Sequence, residues 1–141
     1  MSKSVGLVSC GKNKRLESNI AKDLYIGELF KKARRYSEKH HDNWFILSAL
    51  HGLVDPNIQL DPYEYTLNKA SKDEIVKWSE KVSTELINTI DIDTTVYVYA
   101  GANYRKYLLP ILVDHGYRVE VPLVGLGIGQ QLAWFKNNIG E

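Results

Sequence analysis

One stretch of the sequence, residues 50–67, combines titratable side chains with an aromatic ring. His51, Asp61 and Glu64 can exchange protons, and Tyr63 lies between the two acids. An aromatic ring can stack on a nucleobase, and a carboxylate beside it can hydrogen-bond the base or activate water. The segment therefore predicts a nucleobase pocket, with Asp61, His51 and Glu64 as candidate catalytic residues. The alternative is a packed surface loop that buries Tyr63 and leaves the acids in solvent.

A second segment, residues 9–15, brings positive charge next to a glycine. Its candidate ligand-binding residues are Ser9, Cys10, Gly11, Lys12 and Lys14. Exposed backbone amides beside fixed cations favour a phosphate or a carboxylate. The spacing differs from a Walker A loop, which needs a second glycine and a Lys followed by Ser or Thr. The alternative is a solvated basic loop in which Cys10 is a small buried residue rather than a nucleophile.

Further residues that could contact a ligand occur in three other segments. They are small, amide-bearing, aromatic or cationic: Ser48, Gly52, Gly101, Asn103, Tyr104, Arg105, Gly125, Gly127, Gly129 and Gln130. Asn103 has an alternative role as a helix cap. Gln130 occupies the place of the third glycine in the dinucleotide-binding fingerprint, so we predict no cofactor. The four histidines show no metal-ligand spacing, so we predict no metal site.

The elements that must position these residues alternate between strands and helices. Short apolar runs predict strands over 4–9, 43–49, 95–100 and 117–122. Helical periodicity predicts helices over 23–40, from Ser71 onward, over 103–115 and over 128–138. This order is typical of an α/β fold, a three-layer sandwich in which helices flank a central, mostly parallel sheet of about four strands. The candidate segments adjoin predicted strand ends, where ligands bind in such sheets.

Two local signals refine the predicted helices. Ser71 and Glu74 have the spacing of a capping box, so Ser71 should directly precede the first turn of its helix. Pro110 lacks a backbone N–H, so it should kink or restart the helix over 103–115.

Composition limits the classes of protein to which the chain can belong. Its 141 residues are 44% hydrophobic and 25% charged, with a formal net charge of +1. These values predict one globular domain over 1–141 and exclude a disordered, collagen-like or coiled-coil chain. No apolar run reaches the roughly 18 residues of a membrane span. A single cysteine and the lack of a signal-peptide pattern indicate a cytoplasmic protein without a membrane partner.

The net charge of the chain is close to zero, but two parts of the chain carry opposite net charges. Residues 1–40 carry a net charge of +6, whereas residues 41–95 carry −6. A basic segment can provide a local phosphate-binding patch in a protein that is neutral as a whole. The alternative is a set of solvated, charged helix faces. A coat that binds nucleic acid by charge alone would be far more basic, so we discount that class.

Sequence blocks spread over nearly the whole chain resemble known proteins. Residues 47–56, Leu-Ser-Ala-Leu-His-Gly-Leu-Val-Asp-Pro, followed by Asp61-Pro62-Tyr63, resemble the central motif of the YaaA-like proteins. The resemblance is closer to a group of short bacterial and phage proteins without an assigned function. Their blocks match this chain at residues 9–14, 24–25, 44–49, 62–63, 97–101 and 122–129. The wider set is distantly similar to domains of archaeosine synthesis and to the uracil-DNA glycosylase type of fold.

These resemblances imply contact with DNA or with a modified base. YaaA-like proteins are associated with peroxide stress and DNA binding, although they carry additional helices for which 141 residues leave no room. The glycosylase similarity implies recognition of a modified base or cleavage of an N-glycosidic bond. The water-activating glycosylase motif, Gly-Gln-Asp-Pro-Tyr, is matched here only by Asp61-Pro62-Tyr63. The resemblance to phage proteins suggests a role in host defence or counter-defence. No residue of this chain supports that role by itself.

We therefore expect a protein that recognises a nucleobase or nucleotide, in DNA rather than RNA, and hydrolyses the N-glycosidic bond of a modified base. Asp61 would orient water or stabilise the positive charge that develops on the sugar, and Tyr63 would stack on the base. The remaining roles are phosphate contact by Lys12 and Lys14, and hydrogen bonds to the base or sugar from Ser48 and Asn103. The alternatives are a non-catalytic DNA-binding stress-response module and a binder of a free nucleotide signal. The oligomeric state stays open.

Overall fold

The computed structural model describes residues 3–11 and 13–139, so Lys12, a predicted ligand-binding residue, lies outside the described residues. The strands are β1 (Lys3–Ser9), β2 (Asn19–Ile20), β3 (Asn43–Ser48), β4 (Gly52–Val54), β5 (Gln59–Leu60), β6 (Thr94–Tyr99) and β7 (Arg118–Glu120). The helices are α1 (Ala21–Leu24), α2 (Glu28–His40), α3 (Lys72–Thr89), α4 (Ala102–Arg105), α5 (Leu108–His115) and α6 (Ile128–Ile139), with a 3₁₀ turn at Leu67–Lys69.

The main sheet has five strands in the order β4-β3-β1-β6-β7. β3, β1, β6 and β7 run parallel, and they correspond to the predicted strands. The sequence analysis missed β4, which returns antiparallel to β3 through a tight turn, and the separate pair of β2 and β5. The chain leaves β1 for β3 on one side and then passes to β6 on the other side of β1. The strand order therefore reverses between β1 and β6, where open α/β sheets bind ligands.

Helices cover both faces of the sheet, which confirms the predicted three-layer α/β fold. Successive strand residues point to opposite faces, so Leu7 and Val8 belong to different layers. Leu7 packs with Leu86 of α3 in one layer. Val8 packs with Phe30 of α2 and Phe135 of α6 in the other. Each fully buried aliphatic or aromatic side chain of this kind contributes about 1.5–3 kcal/mol to stability.

Helix α2 lies very close to β1 at Gly6. A Cβ atom on Gly6 would come within 2.7 Å of Ser37 Oγ and 2.9 Å of a ring carbon of His41. Ser37 is fully buried at this contact. Glycine is therefore required for the close approach, and the contact fixes the height of α2 above the sheet.

The predicted helix over 23–40 is split into α1 and α2. Tyr25 takes an extended conformation between them and forms a β-bridge with Lys14. The backbone N–H of Ile26 donates to the carbonyl oxygen of Asn13 over 3.0 Å. Pairing with the segment after β1 therefore replaces the helical hydrogen bonds here, a long-range effect that local periodicity does not contain.

The structure contains both features predicted from local helix signals, the capping box at Ser71 and the helix restart near Pro110. Ser71 and Glu74 form the complete capping box at the start of α3. The predicted helix over 103–115 is divided into α4 and α5, and Pro110 is the third residue of α5. A first-turn N–H has no partner within the helix, so proline is tolerated there. The predicted restart is confirmed.

Candidate functional site

The carboxyl ends of three neighbouring strands bring together segments that were predicted to bind a ligand. Ser9 ends β1, Ser48 ends β3, and Gly101 lies just beyond the end of β6. The strand-order reversal between β1 and β6 falls at this edge. We call the following contacting residues the carboxyl-edge site: Cys10, Lys14, Tyr25, Ser48, Tyr63 and Tyr104.

Three hydroxyl groups form the centre of the carboxyl-edge site. The Tyr63 hydroxyl lies 2.6 Å from Ser48 Oγ and 2.6 Å from the Tyr25 hydroxyl. The turn between β3 and β4 brings the backbone N–H of His51 to Ser48 Oγ, to which it donates over 3.0 Å. Ser48 and Tyr25 are almost completely buried. The three hydroxyls thus join the end of β3 to the segment before α2 and to the loop that carries Tyr63.

Burial controls the ionisation of the tyrosines. Removal from water raises the pKa of Tyr25 to about 12. It raises the pKa of Tyr63 and of Tyr104 well above the usual range, because a phenolate would be poorly solvated there. All three side chains therefore stay protonated at neutral pH. They can donate and accept hydrogen bonds, but they do not supply an anionic base or nucleophile.

The ammonium group of Lys14 covers the ring of Tyr63. Its Nζ lies 4.5 Å from the Tyr63 ring centroid, 5.7 Å from that of Tyr25, and donates to the carbonyl oxygen of Gly11 over 3.5 Å. The His51 ring meets the Tyr63 ring edge-on at 5.2 Å. A nucleobase can stack on the covered face of Tyr63 only when Lys14 moves aside. In this conformation, the ring holds a cation at the site.

Cys10 and Tyr104 connect β1 with the segment after β6. Cys10 Sγ lies 3.7 Å from the Tyr104 hydroxyl. The Tyr104 ring packs edge-on against Trp78 of α3 at 5.4 Å. The indole N–H of Trp78 donates to the carbonyl oxygen of Ser48 over 2.8 Å. These contacts join the ends of β1, β6 and β3 beside the hydroxyl network.

Asn103 takes part in side-chain contacts rather than in helix capping. Gly101 occupies the N-cap position of α4, so the alternative that Asn103 caps this helix is wrong. Asn103 Nδ2 donates to Asn68 Oδ1 over 2.7 Å. Asn103 also lines a depression of about 220 Å³ together with Lys72 and Lys106. Ile75 and Tyr107 complete the lining of this depression.

Arg105 carries a buried donor that the protein leaves unsatisfied. Its Nε atom is buried and has no hydrogen-bond partner in the part of the chain that the structure describes. An unpaired buried donor costs about 1–3 kcal/mol, so such a group calls for an explanation such as a ligand or an ordered water molecule. Arg105 stays a candidate ligand-binding residue.

The acids of the predicted pocket take no part in this network of contacts. Asp61 and Glu64 are both exposed, and neither forms a hydrogen bond or ion pair within residues 3–11 and 13–139. His51 is exposed too, but its backbone and ring contact Ser48 and Tyr63. Of the three catalytic candidates, the structure therefore links only His51 to the carboxyl-edge site.

Gly52 and the glycine-rich segment before α6 have local structural roles. Gly52 has φ +80°, and a Cβ there would come within 2.6 Å of Glu85 Oε1, so the turn into β4 requires glycine. The Gln130 side chain accepts from the backbone N–H of Gly127 over 2.9 Å, and Gly129 lies in the first turn of α6. No hydrogen bond among the described residues joins residues 125–130 to the carboxyl-edge site.

Two residues of this region escaped the sequence analysis as site residues. Tyr25 lies inside the helix predicted over 23–40, and Trp78 lies inside the helix predicted from Ser71 onward. One signal for Tyr25 was its place in the Leu24-Tyr25 block, which resembles a block of the short bacterial and phage proteins. Trp78 is buried in the core, and its indole N–H contact depends on the tertiary fold.

The described residues contain neither a metal-binding cluster nor a membrane-spanning helix. No group of three or more His, Cys, Asp and Glu side chains in 3–11 and 13–139 is placed to hold a metal ion. Within the same residues, no helix has the length and apolar character needed to cross a membrane.

Comparison with known sequences places the chain in a family. The family described as "Family of unknown function (DUF6884)" matches residues 5–137, which is nearly the whole chain and contains the complete carboxyl-edge site. The chain belongs to this family. No curated protein and no solved structure matches it.

Proposed function

We propose that the protein binds a nucleotide of DNA at the carboxyl-edge site. The observation that carries this proposal is the Lys14 ammonium, held 4.5 Å from the Tyr63 ring beside hydroxyl groups that stay protonated. A cation suits a phosphate, and neutral hydroxyls suit the polar atoms of a base or a sugar. The reversal of strand order at this edge supports a ligand site there.

In this proposal, Tyr63 organises the site, and stacking on a base follows only when Lys14 is displaced. A phosphate that draws the Lys14 ammonium away would uncover the ring face that the ammonium occupies. Phosphate binding and base stacking are then linked, because one movement of Lys14 serves both. The YaaA-like resemblance, which implies contact with DNA, supports DNA as the partner.

Hydrolysis of an N-glycosidic bond is a second candidate function, favoured by the state of Asp61. Its exposed carboxylate has no partner among the described residues, so both oxygens are available to orient water. The water oxygen would bond to C1′ while the C1′–N bond breaks, and the base would leave with a proton. A carboxylate stabilises the positive charge that develops on the sugar in this reaction. His51 and Glu64 are the alternative groups for proton transfer.

The first experiment combines a DNA-binding measurement with mass spectrometry of released small molecules. Purified protein is mixed with DNA that carries a panel of modified and damaged bases. We expect the native protein to bind DNA and Lys14→Ala to bind it more weakly. A free base that appears with the native protein and not with Asp61→Asn would assign hydrolysis to Asp61. Asp93→Asn, at the amino end of β6 on the opposite edge, is the matched control.

Each outcome separates the alternatives. DNA binding without any released base identifies a non-catalytic DNA-binding module. Binding of free nucleotides that DNA fails to displace identifies a nucleotide binder and contradicts the DNA part of the proposal. A native protein that binds neither DNA nor nucleotides contradicts the proposal as a whole.

We also infer a cytoplasmic location. A single cysteine in the chain rules out an internal disulfide, which agrees with a reducing compartment. DNA and nucleotides are available there. Fractionation of cells that express the protein, followed by immunodetection, would test this location.

A further inference from the structure

We propose that the exposed face of α2 binds the sugar-phosphate backbone of the DNA strand whose nucleotide occupies the carboxyl-edge site. We call this surface the α2 face and define it by Lys31, Lys32 and Arg35. The inference rests on the proposed function and extends it: the partner is a polynucleotide, and a single nucleotide fills only part of the binding surface.

The start of α2 lies next to the carboxyl-edge site. The helix connects the end of β1 to the start of β3, and these strands are parallel, so α2 begins at the carboxyl edge and ends at the amino edge. Tyr25, whose hydroxyl belongs to the site, packs its ring 5.2 Å from that of Phe30. Lys31 follows Phe30 directly. The cations of the first turns of α2 therefore lie beside the site.

The geometry of the helix places Lys31 and Arg35 in a row on its outer side, with the half-buried Lys32 next to Lys31. Phe30, Ala33 and Ser37 are the buried residues of α2 and define its inner side. Residues four apart lie on the same side of a helix and are separated by about 6 Å along its axis. Lys31 and Arg35 are separated in this way and both are exposed. The row leads from the site toward the opposite edge of the sheet.

The pairing of charges leaves the lysines of the α2 face available. Arg34 points sideways and pairs with Asp23 at 2.9 Å and with Glu38 at 3.4 Å. Lys31 and Lys32 form no ion pair with any residue in 3–11 or 13–139. One acid, Glu28, is exposed in the first turn and reduces the positive charge of this face. The remaining charge is still positive.

The two faces of the sheet carry helices of different charge. Helix α2 has five Lys and Arg residues against two acids, a net charge of +3. Helix α3, on the other face, has three Lys residues against four acids, a net charge of −1. A phosphate backbone is attracted more strongly to the α2 side, so charge favours the α2 face as its contact.

The test compares an oligonucleotide with a mononucleotide. Fluorescence anisotropy measures binding of a DNA oligonucleotide of roughly 12 nucleotides over a range of salt concentrations, and competition by a mononucleotide measures occupation of the carboxyl-edge site. We expect Lys31→Ala/Lys32→Ala to lower the slope of log affinity against log salt by about 1.5, since each phosphate contact adds roughly 0.7–0.9. Competition by the mononucleotide should be unchanged.

Two control variants make the result specific. Lys31→Arg/Lys32→Arg keeps both charges and should retain the native slope. Lys77→Ala removes an exposed lysine from α3 and should also leave the slope unchanged. If the native protein binds the oligonucleotide and the alanine pair keeps the full slope, the α2 face is not the backbone contact, while the proposed function stands. If the native protein binds neither ligand, the proposed function fails and this inference fails with it.

Discussion

At the scale of single residues, the centre of the carboxyl-edge site is a hydrogen-bonded network of neutral hydroxyl groups. Tyr25, Ser48 and Tyr63 share hydrogen bonds of 2.6 Å, and burial raises the pKa of both tyrosines. Networks of this kind are strong when complete and costly when one member is lost. The hydroxyl of Tyr63 is the shared member, so it determines whether the other two are satisfied.

Tyr63→Phe tests this dependence. The substitution removes one oxygen and leaves Ser48 and Tyr25 short of a partner, so we expect the free energy of unfolding to fall by about 1–3 kcal/mol. Urea unfolding followed by circular dichroism measures the change. Tyr65→Phe is the matched control, because the Tyr65 hydroxyl donates to Glu74 on the exposed surface. Equal losses in the two variants would contradict a special role for the buried network.

At the scale of elements, the contact between α2 and β1 depends on a missing side chain. Gly6→Ala would place a Cβ atom 2.7 Å from Ser37 Oγ, so α2 or β1 must shift. We expect a loss of about 1–3 kcal/mol in the free energy of unfolding, as is usual for overpacking. Thermal and urea denaturation measure it. Gly27→Ala, where a Cβ would meet nothing within 4 Å, should change stability little.

The elements also show which structural features local sequence signals can predict. Ser71 and Pro110 act through the first turn of a helix, so the capping box and the helix restart were predictable from a few neighbouring residues. Tyr25 was not predictable in this way. Its extended conformation depends on a bridge to Lys14, eleven residues earlier, and on a hydroxyl bond to Tyr63. Such pairings are set by the fold as a whole.

The residues of the candidate site also differ in whether the sequence alone could identify their roles. The cations and small residues after β1, and Ser48 at the end of β3, were identified because strand ends can be read from apolar runs. The stacking role expected for Tyr63 did not include Lys14 above its ring, since cation–ring contacts leave no pattern in the sequence. Asp61 was selected by residue type, and its lack of a partner among residues 3–11 and 13–139 appears only in the structure.

At the scale of the whole molecule, one histidine makes the stability of the fold depend on pH. His41 lies between α2 and the sheet, with Nε2 2.6 Å from the Tyr99 hydroxyl and its ring stacked 4.6 Å from that of Tyr97. Burial lowers the pKa of His41 from 6.5 to about 4, and the nearby His40 acts in the same direction. The unfolded chain therefore takes up a proton at a higher pH than the folded protein does.

The sign of the pH effect follows from this difference. The contribution of neutral His41 to stability is complete above pH 6.5, decreases as the pH falls from 6.5, and is lost near pH 4. Urea unfolding at a series of pH values should show this decline in the native protein and a shallower one in His41→Gln. His115→Gln, at an exposed histidine on α5, is the control. Parallel pH profiles for the native protein and His41→Gln would contradict the assignment.

The hydrogen bond from the Trp78 indole to the carbonyl oxygen of Ser48 has an optical consequence. The emission of an indole depends on its hydrogen bonding and on the polarity around it. Trp78 contacts both Ser48 and Tyr104, whereas Trp44 and Trp134 pack in the layer on the other side of the sheet. With Trp44 and Trp134 replaced by phenylalanine, the remaining tryptophan fluorescence would come from Trp78, which contacts the carboxyl-edge site. The chain thus contains its own reporter, which can screen unlabelled nucleotides and bases for occupation of the site.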